Sequence, residues 1–218
     1  MKFNIITIFP QIFDSYFSES IIKRAQEKKL VNIKVYNLRD YTDDKRRTAC
    51  LPKPWRRQVD DKPYGGGPGM IFKLEPIYRA VSSLKKLKVK NQKLKVILFS
   101  TRGKKFDQKM AKRFSKLDNL IMICGRYEGV DERVAKYIVD EEVSVGDYVL
   151  TGGEIPAMIV VDAVSRFIPG VLGKHESLEE IKGSYPVYTR PETFGKWSVP
   201  ATLLSGDHKK IEEWRKIK

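Results

Sequence analysis

The 218 residues predict an α/β fold, a mostly parallel sheet with helices on both faces. Three observations point there. Short apolar runs, among them FNIITIF (Phe3 to Phe9) and LIMIC (Leu120 to Cys124), have the length and composition of buried strands. Segments with apolar residues at helical spacing stand between those runs, the alternation expected of a parallel sheet. Glycine bounds several of the runs, so the strands should end in tight loops.

Taken in order, Phe3 to Phe9 is the first strand, and Pro10 can start a helix. Gln11 to Leu30 has helical spacing at Ile12, Phe13, Tyr16, Phe17, Ile21, Ile22 and Ala25, with a break near Ser18 to Ser20. Val31 to Leu38 alternates and reads as a second strand, whereas Arg39 to Met70 has no regular period. Leu74 to Leu87 is helical by its spacing, Val96 to Phe99 is a strand, Ser100 to Gly103 a turn, and Phe106 to Leu117 a helix. Leu120 to Cys124 is the next strand, and Asp131 can cap a helix over Glu132 to Tyr137. The short run Tyr148 to Leu150 lies between glycine loops and reads as another buried strand. Ile155 to Phe167 is apolar on nearly all faces, a helix buried in a core or at a subunit interface. Pro169 and Gly170 stop it. The expected division is a main domain over 1–173, a polar linker over 174–184 and a short helical appendage over 185–218.

Apolar content of 41% with 32% charged residues is that of an ordinary globular protein. The net charge of +15 is not ordinary, and it implies a polyanionic partner, nucleic acid first and an anionic membrane second. The charge is concentrated. Lys85 to Lys116 carries thirteen Lys or Arg residues against one acid, Asp107. Lys45 to Gln58 has six basic residues, no acid and a tryptophan, a pattern that suits phosphate contacts beside a stacking surface. The two cysteines, Cys50 and Cys124, suggest a reduced, cytoplasmic setting. The N-terminal run is broken by Pro10 and reads as a strand rather than a signal peptide. No run approaches the roughly 18 to 20 apolar residues of a membrane span.

The stretch from Cys124 to Pro156 carries the clearest sign of a site. Its loops at Gly125, Gly146 and Gly152-Gly153 follow or precede apolar runs and could converge at one sheet edge. Glycine there lets the backbone approach a ligand or take a positive φ. The same stretch is an acidic island, with Glu128, Asp131, Glu132, Asp140, Glu141, Glu142, Asp147 and Glu154. A phosphate cradle would want the opposite sign, so the ligand should be neutral or cationic. Other chemistries lack their motifs. Gly170 to Lys174 has the wrong spacing for a Walker loop, no GxSxG elbow occurs, and His175 and His208 have no cysteine at metal-ligand spacing, so no metal site is expected.

Six runs together are specific enough to suggest a family: VDDKPYGGGPGM (59–70), CGRYEGVDERV (124–134), VGDYVLTGGEIPAM (145–158), SRFIPGVLG (165–173), YTRPE (188–192) and LLSGDH (203–208). They lie in order along nearly the whole chain, which resembles the bacterial tRNA (guanine-37-N1)-methyltransferases of the knotted α/β superfamily. The resemblance implies a deep trefoil knot and a homodimer with each active site shared between subunits. It implies S-adenosylmethionine as methyl donor, tRNA as partner, and allows Mg2+. The donor pocket carried over from the family is Leu98, Phe99, Ser100, Thr101, Gly125, Tyr127, Glu128, Val145, Gly146, Tyr148, Leu150, Gly152, Gly153 and Pro156. Asp60, Gly65 and Arg126 lie in the matched runs and are candidates for RNA contact, with Arg56 and Arg57 of the basic stretch.

Chemistry says what such a site needs. Guanine N1 carries a proton at neutral pH, and its loss puts negative charge on O6. A carboxylate base and a cation near O6 are therefore required. Arg166 matches the family's catalytic arginine. The family's base is an aspartate whose ungapped position here is Ile181, which leaves Glu180 as the nearest carboxylate and Glu179 as the next. Two further departures are the inserted ACLPKPWRRQ (49–58) and the short segment after YTRPE. The missing aspartate keeps a second reading open, an RNA-binding protein without catalysis or with altered specificity that retains the fold.

Overall fold

The computed structural model describes residues 1–42, 58–86, 91–172 and 185–216. The chain forms two compact units, Met1–Gly173 and Lys174–Lys218. In the first, strands β1 (Lys2–Thr7), β2 (Asn32–Asn37), β5 (Leu94–Lys105), β6 (Asn119–Ile123) and β7 (Glu141–Ser144) make one sheet in the order β2-β1-β6-β5-β7. Every neighbouring pair is parallel. Two short strands, β3 (Asp60–Asp61) and β4 (Ile71–Phe72), pair separately and antiparallel.

Both faces of the sheet are covered, and the alternation along each strand shows how. In β1, Phe3 and Ile5 enter one core while Ile6 enters the other. In β6, Leu120 and Met122 go one way, Ile121 and Ile123 the other, and all four are fully buried. A strand buried on both faces must read as a continuous apolar run, which is why LIMIC is legible. The first face is packed by helices α1 (Asp14–Phe17), α2 (Ser20–Glu27), α4 (Gln108–Phe114) and α6 (Glu154–Ser165). The second is packed by α3 (Leu74–Lys86) and α5 (Glu132–Tyr137). The break expected near Ser18 is there: Ser20 takes φ +51, separating α1 from α2. Asp107 and Asp131 cap α4 and α5 by accepting from the N–H groups of Met110 and Arg133.

Two expectations need correction. Ser100 to Gly103 is not a turn that ends its strand. β5 runs on to Lys105, and the pairing with β7 slips between Phe99 and Lys104. Gly103 makes this possible, since a Cβ there would lie 2.5 Å from the Val143 nitrogen. Tyr148 to Leu150 is not a buried strand. Tyr148 is 55% and Val149 84% exposed, and the seventh strand is the acidic Glu141–Ser144 instead. Helix α6, from the apolar run Ile155 to Phe167, buries most of its residues in the chain's own core, and Ile155 and Ile159 face outward from it.

The second unit holds a hairpin, β8 (Thr193–Phe194) with β9 (Trp197–Ser198), and helices α7 (Ala201–Leu204) and α8 (His208–Lys216). Asp207 caps α8, accepting from the N–H groups of Lys209 and Lys210. The hairpin was not expected from sequence. None of the described residues of this unit is buried.

Candidate active site

The C-terminal ends of β6 and β7 and the middle of β5 open into one cavity of about 530 Å³. Ligands in open parallel sheets bind at this edge of the strands. All the residues that the resemblance assigns to the donor pocket line this cavity, from Leu98, Phe99, Ser100 and Thr101 in the middle of β5 to Gly152, Gly153 and Pro156 around the start of α6. The loops at Gly125, Gly146 and Gly152-Gly153 converge as the glycine pattern implies.

The reason for glycine at these loops is space rather than unusual dihedrals, since none of Gly125, Gly146, Gly152 and Gly153 has a positive φ. A Cβ on Gly146 would enter the Tyr148 ring, and one on Gly152 would meet the side chains of Arg126 and Glu154. A Cβ on Gly153 would lie 2.6 Å from the Cys124 Cα. The positive φ falls instead on Tyr127 and Gly129.

A buried charge network fixes the same loops. Glu154, in the first turn of α6, is almost wholly buried. Its Oε1 accepts from the Thr7 hydroxyl at 2.7 Å and its Oε2 from Arg126 Nε at 2.9 Å. Arg126 also stacks over the Phe9 ring, 4.9 Å from its centroid. The end of β1, the loop after β6 and the start of α6 are thus held by one carboxylate. Arg126 was a candidate for RNA contact, and its Nε is committed to this pair. Cys124, beneath the network, is buried, and burial with the nearby Glu154 pushes its thiol well above its ordinary range, so it is a neutral packing group.

Sequence reasoning missed a second cluster at the cavity wall. Arg102 donates to Glu132 at 2.7 Å and lies 3.9 Å from Glu142 Oε2. That oxygen is buried and has no hydrogen-bond partner. An acceptor buried without a donor costs free energy unless a ligand supplies one. The cavity wall therefore combines close backbone, the carboxylate Glu128, the carboxylates Glu132 and Glu142 facing Arg102, and an unsatisfied acceptor, a fit for a compact ligand that carries hydrogen-bond donors.

The candidate RNA residues lie beside it. Asp60 is in β3, and Gly65 begins a loop in which Gly65, Gly66, Gly67 and Gly69 all have positive φ. That loop touches the cavity wall, because the Glu128 N–H donates to Met70 O at 3.1 Å, and Gly69 has no room for a Cβ against the Glu128 side chain. Phe72 packs edge-on against Tyr127 at 5.7 Å. Arg166 sits at the C-terminus of α6, half-buried and outside the cavity wall. Arg56, Arg57 and Glu180 lie outside the described residues.

A family model described as tRNA (Guanine-1)-methyltransferase TrmD matches residues 1–218. The chain belongs to this TrmD family. Among its relatives, a tRNA (guanine-N(1)-)-methyltransferase of Dictyoglomus turgidum is 54% identical, over 99% of this chain and 84% of that protein. One of Carboxydothermus hydrogenoformans is 49% identical, over 99% of this chain and 81% of that protein. The crystal structure of the tRNA (m1G37) methyltransferase from Aquifex aeolicus superposes with a TM-score of 0.79 at 44% identity, covering 98% of this chain and 87% of that one. Membership of the TrmD family makes the chain an enzyme of methyl transfer. Among the described residues no helix is long and apolar enough to cross a membrane, and no group of three or more His, Cys, Asp or Glu could hold a metal ion.

Proposed function

We propose that the protein transfers a methyl group from S-adenosylmethionine to N1 of guanine 37 in tRNA, and does so in the cytoplasm. The observation that carries this is the cavity where the glycine loops meet, lined by close-packed glycines and carboxylates, in a chain of the TrmD family. The donor, when bound, supplies an already activated methyl group on a sulfonium centre. The residues of the chain then have three tasks. The glycine loops bring backbone groups against the ligand, and Glu128, Glu132 and Glu142 favour its positive charge. Arg166 stabilises the negative charge that forms on guanine O6. Glu180 takes the N1 proton, reaching from one residue before the family's aspartate position with one methylene more than an aspartate. The knot belongs to this reading through the family resemblance, and the loops that would form it are those that share the cavity. No residue is assigned to Mg2+.

The active form is read as a homodimer whose subunits share each active site. Phe9, Ile12 and Tyr16 are exposed on one side of an apolar face, with Ile155 and Ile159 of α6. The Tyr16 hydroxyl hydrogen-bonds to Asp162 of α6, so the two parts of the face are tied. Ile155→Glu combined with Ile159→Glu should give monomers in sedimentation velocity while donor-free far-UV dichroism stays native. A dimer that persists would reject this face.

The test of the chemistry is single-turnover methylation of an unmodified tRNA transcript, with and without a substitution at G37. Glu180→Gln should lower kcat about a hundredfold or more, since a positioned general base is worth roughly 10²- to 10⁴-fold. Donor affinity should be unchanged, and Glu179→Gln should do much less. If the single and double variants keep near wild-type rates, water takes the proton after Arg166 has polarised the base.

A further inference from the structure

We propose that the β8–β9 hairpin is a stacking platform for an unpaired nucleobase of the RNA substrate, formed by Phe194 and Trp197, with Lys196 as the adjoining phosphate contact. It rests on the reading that the substrate is a tRNA. The hairpin is minimal. Thr193 pairs with Ser198 and Phe194 with Trp197, leaving Gly195 and Lys196 as a two-residue turn. Gly195 takes φ +58, which is what such a turn demands and what glycine supplies at no steric cost. Direct cross-strand partners place their side chains on the same face. The two rings accordingly lie nearly parallel, with an interplanar angle of 19° and centroids 6.1 Å apart.

These rings are not used to build a core. Phe194 is 68% and Trp197 66% exposed, and none of the described residues in this unit is buried. A hairpin of two residues per strand is at best marginal by itself, so its most expensive apolar surface is left in water by the fold. A ligand that covers the rings recovers that surface.

The ligand class follows from what surrounds the rings. The neighbours on the hairpin are Thr193, Lys196 and Ser198, polar or basic, with Glu192 the one acid adjoining it. A protein partner would need an apolar core broader than two rings, whereas a base needs one flat face and a cation for its phosphate. The whole chain, at net charge +15, attracts a polyanion. The other aromatic pair of this unit makes a useful contrast. Tyr188 and Trp214 meet at 61°, each turned on the other, and so offer no continuous flat surface. The proposed reaction also calls for such a platform. N1 lies on the Watson–Crick edge of guanine, so it is reached only in an unpaired stretch, and bases drawn out of their stack are held by stacking on aromatic side chains.

The experiment measures binding of unmodified tRNA transcript by the full chain over a range of salt concentrations. Phe194→Ala with Trp197→Ala should weaken binding roughly tenfold or more, the size expected for lost base stacking. The slope of log affinity against log salt should not change, because stacking releases no counterions. Lys196→Gln should instead reduce that slope by about one contact's share. Trp197→Phe should restore most of the affinity, and Trp197 fluorescence, isolated by difference against that variant, should be quenched by RNA. Unchanged affinity in the double variant overturns the platform. So does a loss that comes with a changed oligomeric state or a lower Tm, which would make the pair a packing surface. Retained RNA binding with lost binding to anionic phosphatidylserine vesicles would make it a membrane contact and overturn it too. If wild type methylates guanine in the transcript while the double variant binds like wild type, only the platform fails. If wild type transfers no methyl group to guanine, the proposed function fails by a separate reading.

Discussion

Gly146 and Gly153 both lack a side chain for want of space, but different walls bound that space. Beyond Gly146 is the end of the Tyr148 side chain, which is half-exposed and can swing away. Beyond Gly153 is the backbone of Cys124, the end of a fully buried strand. Gly146→Ala should therefore leave the Tm almost unchanged and abolish donor binding in calorimetry, because the displaced ring intrudes on the cavity. Gly153→Ala should lower stability by about 1–3 kcal/mol or more, the usual cost of overpacking a rigid site, and be seen first in thermal denaturation. Equal behaviour of the two variants would show that the walls do not differ. The glycines were legible in the sequence, both as loop ends and within family runs. Glu142 and Arg102 were not. Nothing in EEVS or STRG says that the Glu142 Oε2 will be buried without a hydrogen-bond partner or that Arg102 will reach two carboxylates, because both facts depend on how β5 slips past β7.

At the scale of elements, β7 shows why sequence reading has a limit. Its residues Glu141 to Ser144 lie at the sheet edge, where only Val143 and Ser144 are buried. Such a strand carries no apolar run, whereas Tyr148 to Leu150 carries one and is exposed. What anchors β7 is charge. Glu141 accepts from Lys95 of β5 and Arg113 of α4, each at 2.8 Å. Burial alone would raise the Glu141 carboxyl, but these hydrogen bonds outweigh it and hold it below its ordinary value of 4.5. A carboxyl lowered by folding contributes stability that is present above 4.5 and is lost as pH falls through its folded value. Glu141→Gln should cost about 1–3 kcal/mol at neutral pH, the usual worth of charge-assisted hydrogen bonds. The wild-type and variant Tm curves should converge as pH falls below 4.5 and through the lowered value of the folded carboxyl. Parallel curves would mean that β7 is held by packing alone.

Across the whole molecule, the charge of +15 should appear as salt dependence of tRNA binding. Replacing Arg56 and Arg57 together by Glu should weaken binding and flatten its slope against log salt, since each phosphate contact contributes about 0.7 to 0.9. An unchanged slope would leave the basic stretch without a part in RNA binding. The covered sheet was legible because each inner strand carries a buried apolar run; the pairing order was not, because it joins distant segments. That order has a consequence for synthesis. β1 pairs with β2 within the first 37 residues, yet its other edge waits for β6, which ends at Ile123. At the ribosome's roughly 5–20 residues per second, that edge stays open for on the order of ten seconds. During that time an apolar strand edge is available to any other nascent chain. Chains stalled before β6 should be bound by chaperones and cut readily by protease, and chains stalled after β7 should resist cleavage, β6 having closed the edge of β1 and β7 that of β5.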